Sequence, residues 1–372
     1  MSRKVALWLD PLYPYLEGDR LFDRGGPANA DEILEPYIHL RERLGRHGVE
    51  VHTADLLAPG QPSQGETNLY VTMGSARRYR ELSRRSDTIL SAFFVLECPI
   101  VEPRLFTEID GASRSFRRFF SFAPGEALEP FLRRPLAFKP SRFPYPFTHV
   151  EEQAWANRER GFLTIINANK VPRLDVRELY TERLRAVRYF SQHGEIDLYG
   201  RGWDGPPFRV GTTRVPRSLR NVGYRIERQW LRFHPGRQPL LAAARRVWRG
   251  PVASTVETLG RYTFSICFEN MVLDGWVTEK IFDSLRAGTI PVYLGAPDID
   301  SWVWPECFID MRRFSGYEEL REFLHGLSPS KIETYREAGR EYFGSDEFRP
   351  FTKQAFAEIF EQIVREDAGI SL

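Results

Sequence analysis

No run of apolar residues in this chain approaches the ~20 needed to cross a membrane as a helix. The opening segment, MSRKVALWLDPLYPY, carries two basic residues. Asp10 and Pro11 interrupt its apolar stretch too soon for a signal peptide, so a cytoplasmic setting is expected. Cysteine is scarce. Cys98, Cys267 and Cys307 lie far apart with no CxxC pair, which excludes a disulfide scaffold and fits a reducing compartment. The seven histidines are dispersed, with neither HExxH nor a His/Cys cluster, and this argues against a zinc site built by the protein. Internal repeats and low-complexity tracts are absent as well.

Core-forming material is plentiful: 42% of the 372 residues are hydrophobic and 13% aromatic, and the length predicts two domains. Strand-like Val5–Leu9 is followed by a helical pattern through Ile33, Tyr37, Leu40 and Leu44, closed near Gly48, then by a strand at Val49–Thr53. Asn68–Met73, helical Ala76–Ser83, Thr88–Leu96 and Phe116–Phe122 continue the alternation. Pro135–Pro146 reads as an inter-domain linker. A second half restarts with a strand at Gly161–Asn167, a helix over Val176–Ser191 and a strand at Glu195–Tyr199. It continues with Cys307–Asp310, a helix near Tyr317–Leu324, and a last amphipathic helix with Phe351, Ala355, Ile359, Phe360 and Ile363 on one face. The expected class is α/β, with two Rossmann-like domains facing each other across a cleft. The expected boundaries are 1–150, 151–348, and a C-terminal helix 349–372 that packs back on the first domain.

Gly200-Arg-Gly-Trp-Asp-Gly205 spells GxGxxG after a strand, the pattern of a dinucleotide-binding turn. That mechanism needs a helix to begin there, and Pro206-Pro207 follow instead, so a dehydrogenase reading is rejected.

The densest signal is Arg261–Pro297, RYTFSICFENMVLDGWVTEKIFDSLRAGTIPVYLGAP. Thr263–Phe268 reads as a strand, Met271–Gly275 as a loop and Thr278–Ala287 as a helix closed by Gly288 at its C′ position. Thr289–Leu294 is a short apolar run of the kind a parallel sheet buries on both faces. This βαβ unit places Glu279 and Lys280 in the first helical turn, beside backbone N–H groups at the strand ends, a setting suited to a phosphate-bearing ligand.

FEN-x4-GWVTEKIFDSLRAGTIPVYLGAP resembles the signature region of the α1,3/α1,4-fucosyltransferase family, glycosyltransferase family 10. IDLYGR (Ile196–Arg201) resembles the family's strand ending in YGR, and Leu96-Glu97-Cys98-Pro99 its ESP segment. The resemblance is dense from about Gly161 to Phe314 and thin across Phe93–Phe122. It implies a GT-B fold with an acceptor domain, a GDP-fucose domain, and inversion at the sugar's anomeric carbon. The implied reaction moves L-fucose to a hydroxyl of a glycan acceptor, GlcNAc or Glc within a surface polysaccharide or lipid-linked glycan. The alternatives are the same transfer from another nucleotide sugar, and an inactive glycan- or nucleotide-binding protein. No metal-ligand set is assigned and no cofactor is required; Mn2+ or Mg2+ is left an assisting role in product release.

Inversion by single displacement needs a base at the acceptor hydroxyl. Glu97, at the end of an apolar strand, is the candidate and Glu102 the reserve; a solvated strand-end carboxylate is the plain alternative. On the donor side the resemblance implies Lys280 and the helix start at Thr278 for the diphosphate, and Glu279 for the ribose hydroxyls. Ordinary first-turn charge is the alternative, but a lysine set against its own helix dipole is better explained by an anion. Arg177, with Arg173 competing, corresponds to the family's diphosphate-contacting arginine. Asn270 either touches donor hydroxyls or fixes its loop as an Asx-turn residue. Tyr199, Arg201 and Glu269 complete the donor set by the same resemblance. Two departures stand out. Trp276 replaces the usual tyrosine, which keeps ring packing and loses a phenolic hydrogen bond, and Cys98 replaces the serine of ESP.

Gly205–Gly250 holds eleven arginines, one acidic residue (Glu227) and no lysine. Leu219, Val222, Ile226, Trp230 and Phe233 recur at helical spacing, with Arg217, Arg220, Arg225, Arg228 and Arg232 around them. Such a helix either lies on an anionic membrane surface, here the inner leaflet, or packs on its own domain. Nucleic-acid binding is not expected, because no recognised module accompanies the charge.

Overall fold

The computed structural model describes residues 4–57, 66–75, 77–172, 177–205, 207–211, 229, 233 and 238–372. They form two compact units, one of Met1–Thr148 with Asp346–Leu372, the other of His149–Ser345.

The first unit is built on a six-stranded sheet in the order β2-β1-β3-β4-β5-β6. Its strands are β1 (Lys4–Pro11), β2 (Val49–Thr53), β3 (Glu66–Met73), β4 (Thr88–Val95), β5 (Arg118–Ser121) and β6 (Lys139–Pro140), and every pairing is parallel. Val5, Ala6 and Leu7 on β1, and the β4 run Leu90–Val95, are buried residue after residue, the pattern of a sheet covered on both faces. One cover is the helix Glu35–Gly45; Ile33, expected on its apolar stripe, lies before it and is exposed. The Pro135–Pro146 passage is not a bare connection. It supplies β6, an edge strand where proline is tolerated, and Tyr145 N donates to Phe351 O at 2.7 Å.

The C-terminal helix Lys353–Ala368 belongs to this unit. Thr352 caps it by accepting from Ala355 N, and Gly369 closes it at φ 67°. Its buried face is Phe356, Ala357, Phe360, Ile363 and Val364, so Ala355 and Ile359 lie at the margin of the stripe rather than on it. Phe360 stacks on Phe94 with ring centroids 5.2 Å apart. Arg43 binds Glu361 at 2.6 Å, and Arg118 binds Asp367 at 2.8 Å.

The second unit carries a five-stranded parallel sheet in the order β13-β12-β11-β7-β9, with a separate parallel pair β10-β8. Its strands are β7 (Gly161–Ile166), β8 (Lys170–Val171), β9 (Ile196–Tyr199), β10 (Phe208–Arg209), β11 (Tyr262–Phe268), β12 (Ile290–Leu294) and β13 (Ile309–Asp310). The helix expected over Val176–Ser191 runs Tyr180–Gln192, and the one expected at Ala76–Ser83 shortens to Tyr79–Leu82. No helix starts at the GxGxxG spelling. Gly200 has φ 128°, and a Cβ there would sit 2.2 Å from Asn167 O, so its glycines serve a turn pressed against the β7 end. Of the helical stripe expected through Leu219, Val222, Ile226, Trp230 and Phe233, the first four positions lie outside the described residues, and Phe233 is 76% exposed.

Both sheets have one topology. The first strand sits inside, its successor on one side and the third strand on the other, so the chain reverses direction of growth between β1 and β3, and again between β7 and β11. The crevice outside the carboxyl ends of such a strand pair is where open α/β sheets bind ligands.

Candidate functional site

In the second unit the reversal point lies at the ends of β7 and β11, and Arg183 ties them together. Its Nη1 donates to Asn167 Oδ1 at 2.9 Å and its Nη2 to Asn270 Oδ1 at 3.1 Å. Nε and Nη2 both donate to Phe268 O, at 3.0 and 2.6 Å. Arg183 is 4% exposed, its guanidinium lying 4.8 Å from the Tyr180 ring centroid. Sequence reasoning missed this residue. The available signal was a charge inside the apolar stripe Tyr180, Leu184, Val187, Phe190 of its helix.

Next along β11 comes Glu269, which has no solvent exposure. Its Oε1 accepts from Thr278 N at 2.9 Å, both carboxylate oxygens accept from Thr278 Oγ1, and Oε2 accepts from Lys280 Nζ at 3.0 Å. Gly295 makes this approach possible, since a Cβ there would meet Glu269 Cγ at 2.6 Å. Thr278 is the N-cap of the helix Glu279–Arg286, and its side chain is spent on Glu269 and Lys280 rather than on capping. Lys280 also reaches Glu279 Oε1 at 3.2 Å. Burial pulls the Lys280 ammonium down, but the Glu269 and Glu279 charges outweigh it and hold it well above the usual lysine value. Burial pushes the Glu279 carboxyl up, and Lys280 outweighs that to hold it below the usual range. The lysine at a helix N-terminus is therefore explained by two carboxylates, and an anion is not needed to account for it.

Glu269, Asn270, Thr278, Glu279 and Lys280 thus share one edge of the crevice. Arg177 is exposed, and its backbone is stitched to the same loop: Val272 N donates to Arg177 O at 2.8 Å, and Leu179 N to Asn270 O at 3.1 Å. Arg173 lies outside the described residues. Three further residues read from the sequence as donor-side complete the placement. Trp276 is 2% exposed, so its ring is enclosed by the loop instead of presented on it. The Tyr199 hydroxyl meets Tyr262 at 2.9 Å, in a network completed by Asp197. Arg201 is exposed on the turn after β9.

In the first unit, Glu97 follows β4 at its carboxyl end and is half-buried. Tyr13, which follows β1, donates its hydroxyl to Glu97 Oε1 at 3.2 Å. Burial, then the charges of Glu97 and Glu102, push the Tyr13 phenol well above its usual value, so it stays a donor. Glu102 precedes the helix Pro103–Ala112, with its N–H on Cys98 O.

Asp298-Ile299-Asp300 spells DxD, a pattern that sequence reasoning missed. Asp298 is committed to Gly275 N at 2.7 Å and Trp302 Nε1 at 2.8 Å. Among the described residues no group of three His, Cys, Asp or Glu is placed to hold a metal ion, and no helix is long and apolar enough to cross a membrane.

Residues 242–351 match the family model for glycosyltransferase family 10 (fucosyltransferase), C-terminal. An alpha-(1,3)-fucosyltransferase of Helicobacter pylori is 36% identical over 75 residues, 20% of this chain and 16% of that protein. A GDP-fucose protein O-fucosyltransferase 3 of Xenopus laevis is 37% identical over 70 residues, 18% of this chain and 15% of that protein. The matched stretch thus spans about a sixth of the length of either relative. A sucrose-phosphate synthase from Thermosynechococcus elongatus shares the fold at TM-score 0.57 and 13% identity, over 99% of this chain and 100% of that one. The fold is accordingly α/β of the GT-B class, with Rossmann-type parallel sheets. Residues 242–351, which contain the Glu269–Lys280 cluster, are thus similar to the C-terminal part of glycosyltransferase family 10, the fucosyltransferases.

Proposed function

We propose that this protein is an inverting glycosyltransferase that moves L-fucose from GDP-fucose to a hydroxyl of a glycan acceptor. The observation that carries the reading is the Glu269–Thr278–Lys280 lock beside Arg183, at the reversal point of a parallel sheet and inside the family-matched stretch. In it, the cations Arg183 and Lys280, the exposed Arg177 and the first turn of Glu279–Arg286 stabilise the charge that gathers on the β-phosphate as GDP departs. Glu279 takes the ribose hydroxyls. Glu97 takes the acceptor proton as the acceptor oxygen bonds to the anomeric carbon. The electron pair of the breaking glycosyl–phosphate bond leaves with GDP. Tyr13, donating to Glu97, orients that carboxylate.

Both relatives' names indicate fucosyl transfer, one printing a linkage and the other a protein acceptor, so the acceptor is the less constrained half. A GlcNAc or Glc hydroxyl in a surface polysaccharide or lipid-linked glycan is the acceptor we favour. The three cysteines are free and buried, which suits a reducing cytoplasm. Peripheral contact with an anionic inner leaflet through the arginine-rich segment 205–250 belongs to the same reading. Flotation with anionic liposomes at low and high salt tests that contact.

Turnover measured across GDP-fucose, GDP-mannose and UDP-sugars decides the donor. GDP-fucose alone is expected to turn over with a glycan acceptor. Preference for another donor overturns the assignment, and GDP binding without any turnover identifies a binding protein.

A further inference from the structure

We propose that Tyr15, stacked on Tyr13 beside Glu97, is the platform on which a neutral pyranose ring of the acceptor lies. This rests on the reading of Glu97 as the base.

Tyr15 is 55% exposed, one of five large apolar or aromatic side chains so exposed among the described residues. Its ring is parallel to that of Tyr13 within 12°, with centroids 5.5 Å apart. Tyr13 in turn holds Glu97 Oε1 at 3.2 Å. An aromatic pair therefore runs from the candidate base out to solvent at the carboxyl edge of the sheet.

The loop that presents Tyr15 is fastened along its length. Leu16 is buried in the core, and Gly18 N donates to Asp55 Oδ2 at 2.9 Å. Asp19 N donates to Thr53 Oγ1 at 2.9 Å, and Arg20 Nε to Tyr15 O at 2.7 Å. Arg78 grips Glu17 at 2.9 Å with one nitrogen and Asp10, which is fully buried, at 2.6 Å with the other. Tyr70 completes Asp10 at 2.7 Å. A tyrosine left exposed on a fixed backbone is pre-organised, so a ligand that covers it costs little ordering entropy.

The chemistry selects the occupant. The CH face of a pyranose packs on an aromatic ring, while Glu97 and Glu102, the acids acting on Tyr13, disfavour an anionic ligand. A neutral sugar ring satisfies both conditions and brings a hydroxyl toward Glu97.

The test uses the full chain with N,N′-diacetylchitobiose as the neutral probe, followed both by binding and as a fucose acceptor. Tyr15→Ala is expected to weaken probe binding and raise acceptor KM about tenfold while donor KM holds, and Tyr15→Trp to restore both. Tyr13→Phe is expected to move the acidic limb of the pH–kcat/KM profile upward, because the carboxylate loses a donor. Unchanged probe affinity and acceptor KM in Tyr15→Ala overturn the platform. A wild-type protein that binds the probe through Tyr15 yet transfers no fucose overturns the transferase reading instead, which keeps the two failures apart.

Discussion

The Lys280 ammonium lies 3.0 Å from Oε2 of Glu269, a carboxylate with no solvent exposure. This pair sets both the structure and the charge of the candidate donor site. Glu269 ends the central strand region, receives the first backbone N–H of the helix through Thr278, and holds the lysine that would otherwise oppose the helix dipole.

Replacing Glu269 by Ala leaves Lys280 without its buried partner and Thr278 N without its acceptor. The expected cost is about 3 kcal/mol, at the lower end for breaking a buried pair because Lys280 remains a quarter exposed. Urea unfolding measures it, and a loss under about 1 kcal/mol contradicts the structural role.

Arg183 bridges the ends of β7 and β11 with four hydrogen bonds. Arg183→Ala and Arg183→Lys are both expected to raise the dissociation constant for GDP by roughly 10–100-fold, since a lysine cannot span Asn167, Phe268 and Asn270 together. Calorimetric titration with GDP checks this. Unchanged affinity reduces Arg183 to a strut.

Asp367 gives a pH dependence to the docking of the C-terminal helix. Burial pushes its carboxyl up, but hydrogen bonds from Arg118, Ser91 and Arg117 outweigh that and hold it below the usual aspartate range. A lowered folded-state value means that the contribution is full above the unfolded value of about 3.9 and is lost as pH falls below it. Thermal unfolding between neutrality and pH ~3 should show a steeper acid loss for the native chain than for Asp367→Asn.

The proposed function assigns donor binding to cationic side chains and a helix N-terminus and calls on no resident metal. Transfer activity is expected to persist in excess EDTA, with added Mn2+ or Mg2+ raising turnover at most a few-fold through GDP release. Complete loss of activity on chelation, restored by metal, contradicts that assignment.

Much of the donor half was legible in the sequence because a βαβ unit writes its order locally. Strand, loop, capped helix, Gly288 and strand follow each other within Arg261–Pro297, and each boundary fell within a residue or two. Arg183 was not legible, since its partners lie 16 to 87 positions away and only the folded sheet brings them together. The burial of Trp276 was not legible for a related reason: packing of its loop, not its place beside VTEK, encloses the ring. The helix Pro329–Tyr342 escaped notice because its buried positions include Arg336 and Gly339, which blur an apolar stripe. The helix Lys353–Ala368 was found, but its face was rotated; cross-sheet packing against Phe94, not local period, selects Phe356 and Phe360.

The most direct measurement is the turnover of GDP-fucose by the native chain and by Glu97→Gln, alongside GDP affinity for both. The account predicts that the substitution lowers turnover by roughly 100-fold or more, as loss of a general base does, while the dissociation constant for GDP stays within about twofold. Turnover unchanged in Glu97→Gln removes Glu97 as the base and with it the proposed mechanism.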